Sequence, residues 1–300
     1  MPTTRVYRST DAGAPALYRD AESLQSLLYA CLDTGYGAQS GAGWTRSYTA
    51  AGKAVFKQGG GSGEYIRMLD DPGSGYASVA CTGYETMSDV DTGTNPYPVV
   101  GAVTFTYMAP SSGIALPWTV VADDRTFYFY NHNPSDSDYR GGAFGDGYSY
   151  QSSGLYRTFL GATGYVRGTA LPDPGADTWF TPRNHLGVYN ATDRPLSLIG
   201  DTAKGVSGLL KGTVPYPHGP DNKIWLAPLE LVDHLTPAIR MRLRGMWHWL
   251  HDTAAVADAD VFDGVGDMVG KNFLIVRNVF DGSAYRHVVV HETSSTWDTN

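Results

Sequence analysis

Hydrophobic and polar positions along this chain recur with two periods. Near the N-terminus Leu24, Leu27, Leu28, Cys31 and Leu32 return every three to four residues, Asp20 stands where an N-cap belongs, and Gly35 and Gly37 stand where a helix would stop. That stripe predicts one helix of about ten to thirteen residues with a single apolar face. Beyond it the period is two. KAVFKQ and EYIRML, separated by the flexible run Gly59 to Gly63, read as a hairpin. YASVACTGYE and GAVTFTYM continue a sheet, and PWTVVADDRTFYFYNH reads as two apolar runs meeting at Asp123-Asp124. In the second half IWLAPLEL, IRMRLRGMWHWLH and KNFLIVRNVFDGSAYRHVVVHE behave alike, the last with a turn near Asp281-Gly282. The predicted fold class is mainly β: antiparallel sheets, sandwich-like or barrel-like, with one N-terminal α-helix packed on a sheet, the only large apolar surface the rest of the sequence offers.

Breaks in the pattern predict the organisation. Residues 1–19, VYRSTDAGAP at their centre, read as an extended arm in need of a strand partner. Residues 20–170 form a helix plus β domain, 171–182 (PDPGADTWFTP) a linker, and 183–300 a second β domain. Ser88 to Pro98 and residues 131–154, rich in Gly, Ser, Asp and Tyr, read as long loops of the kind that serve binding or assembly.

Composition narrows the function classes. Thirty-six glycines and 17 prolines beside 17% charged residues suit short strands joined by many turns. A net charge of -8 with six lysines argues against nucleic acid, which needs clustered cations. Cys31 falls on the helix stripe and Cys81 in a strand-like run, so both read as buried thiols. The N-terminus lacks the apolar core of a secretion signal and no run approaches the ~18 apolar residues of a membrane span, so the expectation is folding in the cytoplasm with no membrane partner.

Candidate chemistry is sparse. Asp258, Asp260 and Asp263 before Gly264 imitate a calcium loop, but Asp263 comes one position late and no Glu follows, so a solvated turn is the better reading. His248, His251 and Asp252 could seat zinc on a helix, yet the interleaved Trp247 and Trp249 make an aromatic interface rim the better reading. Asp70-Asp71, Asp89-Asp91 and Asp123-Asp124 could serve glycoside hydrolysis as carboxylate pairs, although adjacent aspartates at hairpin tips chiefly favour the turn. No catalytic residue, cofactor site or metal site is assigned. Tyr148, Tyr150 and Tyr156 are candidates for stacking on a host-surface glycan, with subunit contact the stronger reading. On a strand, Arg240, Arg242 and Arg244 share one face while Met241 and Leu243 take the other. Tyr7, Arg8, Arg240, Arg242, Arg244, Trp247 and Trp249 are the expected interface residues.

Two stretches carry a resemblance. VYRSTDAGAP, the leucine helix and GYGAQSGAGWTRSYTAAGKAVFKQGGGSGEYIRMLDD lead to GYETMSDVDTGTNPYP; IRMRLRGMWHWLHD, DGVGDMVGKNFLIVR and HETSSTW follow near the end. Together they resemble the virion structural proteins of tailed bacteriophages, in segment order along nearly the whole chain. The resemblance implies a non-enzymatic virion subunit assembled in host cytoplasm, most readily of the tail or baseplate, with copies of itself and other virion proteins as partners. A capsid decoration protein, or a glycan-binding receptor protein of the tail, is the alternative. The N-terminal arm would then add an edge strand to a neighbouring subunit.

Overall fold

The computed structural model describes residues 3–98, 101–106, 113–132, 139–150, 157–163, 178–183, 197–198, 226–233, 238–249, 257–279, 286–294 and 297. The fold is mainly β, built from antiparallel sheets that include a curled half-barrel, with one short α-helix, near the N-terminus, among the described residues. In chain order the elements are β1 (Arg5–Arg8), α1 (Ser23–Tyr29), β2 (Thr45–Ala50), β3 (Lys53–Lys57), β4 (Tyr65–Asp70), β5 (Ser78–Tyr84), β6 (Thr86–Asp89), β7 (Thr92–Thr94), β8 (Val103–Thr106) and β9 (Trp118–Ala122). There follow β10 (Thr126–His132), β11 (Tyr139–Ser149), β12 (Thr158–Thr163), β13 (Thr178–Pro182), β14 (Ser197–Leu198), β15 (Leu226–Asp233), β16 (Ala238–Trp249), β17 (Val261–Asp263), β18 (Asn272–Val279) and β19 (Arg286–Glu292).

Five strands form one sheet in the order β2-β3-β4-β5-β8, and twelve form the other along the path β1-β9-β10-β11-β16-β19-β18-β17, with β12, β13, β14 and β15 branching from it. The predicted hairpins β3/β4, β9/β10 and β18/β19 are all present. The turn residues Asp281-Gly282 lie outside the described residues.

Core placement explains why TFYFY is apolar without alternation. Phe127 and Phe129 face the five-stranded sheet and the helix, in a cluster with Phe56, Met68, Phe105, Leu24 and Leu28. Tyr128 and Tyr130 face the other way, into a cluster with Leu231, Met241, Leu243 and Trp297. A strand covered on both faces has no solvated side to mark with polar residues.

The helix stripe is fully buried at all five predicted positions, and Cys31 and Cys81 are free buried thiols. Its start differs from expectation. Glu22, at φ 61 and with no side-chain cap, precedes the helix, and the Glu22 N–H donates to Asp70 Oδ2 at 2.6 Å. Asp20 is thus not the N-cap, and Asp70 of β4 anchors the helix entrance instead. After Tyr29 the coil widens into a π turn over Ala30–Thr34 and ends at Gly35, as its position predicts.

Three expectations are corrected. Residues 5–8 are not a free arm: β1 pairs with β9 of the same chain, from Arg5 opposite Ala122 to Arg8 opposite Thr119. Tyr7 and Leu17 are fully buried, and Trp118 Nε1 donates to the Pro15 carbonyl at 2.9 Å, so burial of these side chains holds the segment to its own sheet. The division at 171–182 is also crossed. β13 lies within the expected linker and pairs with β12, while β16 pairs with β11, so one sheet takes strands from both supposed domains. Third, the expected loops contain strands: β11 is the long strand at the junction of the large sheet, and β6/β7 form a hairpin. β11 escapes the period-two pattern because its glycines stand where neighbouring backbone, side chains or a ring come too close for a Cβ. A Cβ on Gly142 would lie 2.4 Å from the Phe105 ring of the facing sheet.

Candidate assembly surfaces

The charged groups inside the large sheet are organised by a change of partner along β16. Its residues Met241 to Leu243 pair with β11 and Met246 to His248 pair with β19, and between them Gly245 adopts φ +63. A Cβ there would lie 2.2 Å from the Trp297 indole. The corner therefore requires glycine twice, for its left-handed backbone and for the ring that packs on it.

Beside this corner Arg244 is 2% exposed, with Nη2 2.8 Å from Asp123 Oδ2. Its Nη1 lies 3.2 Å from both Asp123 Oδ1 and Thr126 Oγ1, and the guanidinium stands 5.7 Å from the Trp297 ring. Asp123 closes the β9/β10 turn as adjacent aspartates are expected to: its Oδ1 accepts from the N–H groups of Arg125 and Thr126 at 2.9 and 2.8 Å. Burial raises the Asp123 carboxyl pKa by more than Arg244 and the turn N–H groups lower it. Deeper in the fold Tyr128 donates to the Arg244 carbonyl at 2.8 Å, and Tyr130 Oη lies 2.7 Å from His291 Nε2. Burial pushes the His291 imidazole down to about 3 and the Tyr130 phenol up, so a neutral ring and a protonated hydroxyl share this hydrogen bond.

A second strut lies toward the five-stranded sheet. Tyr97 donates to Glu64 Oε2 at 2.9 Å, and Arg183 pairs with both Glu64 and Glu85, the latter at 2.6 Å. Burial raises Glu64 against the opposing pull of Arg183 and the Tyr97 hydroxyl. The other aspartates weighed for hydrolysis also hold structure. Asp70 accepts from Glu22 N–H and Gln25 Nε2, Asp71 from Gly73 N–H, Asp89 from Val90 N–H, and Asp91 pairs with Lys53 and Arg67. Asp70 and Asp91 tie distant segments together, whereas Asp71 and Asp89 bond N–H groups within their own turns.

The expected interface residues divide accordingly. Tyr7 is a core residue whose hydroxyl donates to the Ser40 carbonyl at 2.8 Å, and Arg8 is half-buried with its N–H on Asp11 Oδ2. Arg244 is an internal strut. Arg240 and Arg242 remain half-buried near the surface, with the Arg242 guanidinium 4.6 Å from the Tyr148 ring centroid. Trp247 is half-buried, edge-on to Phe273 at 6.3 Å. Trp249 ends β16 opposite Leu226, beside His248. Tyr148 has one ring face under Arg242 and its hydroxyl on the Trp297 carbonyl. Tyr150 is 54% exposed, donates to Glu230, and has its phenol pushed up to about 12 by partial burial and that carboxylate. Tyr156, His251 and Asp252 lie outside the described residues.

Large exposed apolar side chains occur elsewhere, and sequence reasoning passed over them. Val261, Val265 and Val269 are 59%, 57% and 76% exposed on the segment 257–271 around β17. Their spacing of four between glycines in DVFDGVGDMVGK was the signal, masked by attention to the aspartates as ion ligands. Asp260 and Asp263 instead accept from Ala257 N–H and Asn272 Nδ2. Among the described residues no three His, Cys, Asp or Glu side chains are grouped to hold a metal. β17 is, among the described residues, the last strand on the path of the large sheet, and its pairing with β18 points the backbone groups of Val261 and Asp263 away from β18.

No protein-family model matches the chain, and no curated protein shows significant similarity to it.

Proposed function

We propose that the chain is a non-enzymatic structural subunit of a tailed-phage virion, placed in the tail or baseplate, that works by fitting against copies of itself and other virion proteins. The observation that carries this reading is the placement of exposed apolar surface: three valines project from β17 and the turn after it, where among the described residues the large sheet ends and strand addition and side-chain docking both become available. The resemblance of the N-terminal and C-terminal segments to virion proteins supplies the setting. The buried Asp, Glu, Arg and His groups are spent on holding strands together, which suits a part that must keep its shape under load.

The test is detection of the chain in purified particles by mass spectrometry, followed by a reconstruction with the subunit labelled. The expected result is a copy number on the order of a few to dozens, set by ring symmetry. Particles of full infectivity that lack the chain would overturn the proposal.

A further inference from the structure

Exposed large apolar residues among the described strands and turns fall mainly in two places of opposite charge. The first is the knob 257–271, where Val261, Val265 and Val269 are accompanied by exposed Asp258, Asp260 and Asp263. The second is the seam where β11 meets the start of β16. There Tyr150 is 54% and Ile239 44% exposed, Arg240 and Arg242 stand half-buried beside them, and the Tyr150 N–H donates to the Arg240 carbonyl at 3.0 Å. One place is apolar with an acidic rim. The other is aromatic, with Arg240 and Arg242 outnumbering the Glu230 carboxylate to which Tyr150 donates and which lies opposite Arg242.

The two cannot meet within one chain. β19 and β18 lie between β16 and β17, which separates the edges by about 14 Å at the usual spacing of paired strands, and the sheet holds them there. The geometry points to a head-to-tail contact between copies: the valine knob of one subunit docks on the Tyr150-Arg240-Arg242 seam of the next. The occupant of the seam is thus a second copy of this chain, chosen by charge, and the valines supply the apolar contact that the aspartates orient. Such a contact joins two different surfaces, so repetition gives a closed ring or an open filament, not a two-fold dimer. The inference rests on the assembly reading above and gives it a specific pair of surfaces.

The test is sedimentation of the purified full chain at concentrations up to on the order of 100 μM, because contacts of modest area hold weakly. The wild-type chain is expected to self-associate, and to do so less at 1 M salt. Reversing the knob (Asp260→Lys with Asp263→Lys) and reversing the seam (Arg240→Glu with Arg242→Glu) should each weaken association at least tenfold, measured at a temperature where thermal melts show each variant folded. Mixing the two variants should restore it, since each then offers the charge that the other has lost. A wild-type chain that stays monomeric, reversals without effect, or a mixture that remains monomeric would each overturn the inference. Should the seam variant fold poorly, Val265→Asp with Val269→Asp, which alters only exposed side chains, must still weaken association. Self-association of this kind by a chain absent from particles would sink the virion reading and leave the contact standing; an insensitive monomer found in particles would do the reverse.

Discussion

Arg244 was expected at a subunit interface and is found inside the fold, and the two placements predict different effects of Arg244→Met. In the structure the substitution leaves the Asp123 carboxylate, fully buried, without its cation. Breaking one side of a buried pair costs about 3–5 kcal/mol, and the lower part of that range applies here because two turn N–H groups still bond Asp123 Oδ1. For a chain this long, ~3 kcal/mol lowers Tm by roughly 5 °C. Asp123→Asn in the same chain removes the stranded charge while keeping an oxygen for the turn, so the double variant should regain at least half of the loss. The pH dependence has a definite sign. Without Arg244 the folded Asp123 pKa rises further above its unfolded value, so the loss is full above the folded pKa and shrinks as pH falls toward the ordinary carboxylate range. Thermal and urea melts at pH 8 and pH 5 measure all of this, with Arg240→Met as the surface control, expected within about 0.5 kcal/mol of wild type. If Arg244→Met melts like wild type and changes only association, the strut does not exist and the side chain belongs to an interface.

Three further outcomes follow from the same geometry. His291, neutral when folded, has its pKa depressed from 6.5 to about 3, so its stabilisation is present above pH 6.5 and is lost as pH falls. The loss approaches about 1.4 kcal/mol per pH unit, or about 2 kcal/mol by pH 5; urea midpoints at pH 7.5 and 5 should show it in wild type and not in His291→Gln. Gly245→Ala forces a Cβ into the Trp297 indole at a left-handed backbone position, and should cost about 2 kcal/mol or more while shifting tryptophan emission to the red. An equal shift in a Trp297→Phe background would show that another tryptophan reports. Gly142→Ala should destabilise by about 1–3 kcal/mol through the Phe105 ring, and Phe105→Leu, which takes the ring out of that contact, should recover part of it in a double-variant melt.

The pattern of positions was most legible where one element supplies its own evidence. The leucine stripe of α1 and the runs of β9 and β10 each contain their period, and the structure buries them as read. What failed was legibility of contacts between distant segments. β1 reads as an arm because four residues do not name their partner, and only Tyr7 in the core and the register with β9 show where they belong. Alternation along β16 places the three arginines on one side, yet it carries no information about what covers that side. The partner change at Gly245 brings Arg244 under Asp123 and Trp297 while Arg240 and Arg242 stay near the surface. Glycine misled in a consistent direction. The glycines of β11 read as part of a loop and Gly245 only as a place on the apolar face of a strand, whereas Gly142 and Gly245 each mark a ring from another segment packed where a Cβ would stand. The valine knob follows the opposite logic, since Gly266 and Gly270 have open space around their Cα atoms. Glycine in this chain therefore marks either a buried corner or an exposed turn, and the neighbours decide which: aromatic rings at the corners, valines and aspartates at the edge where the next subunit is proposed to dock.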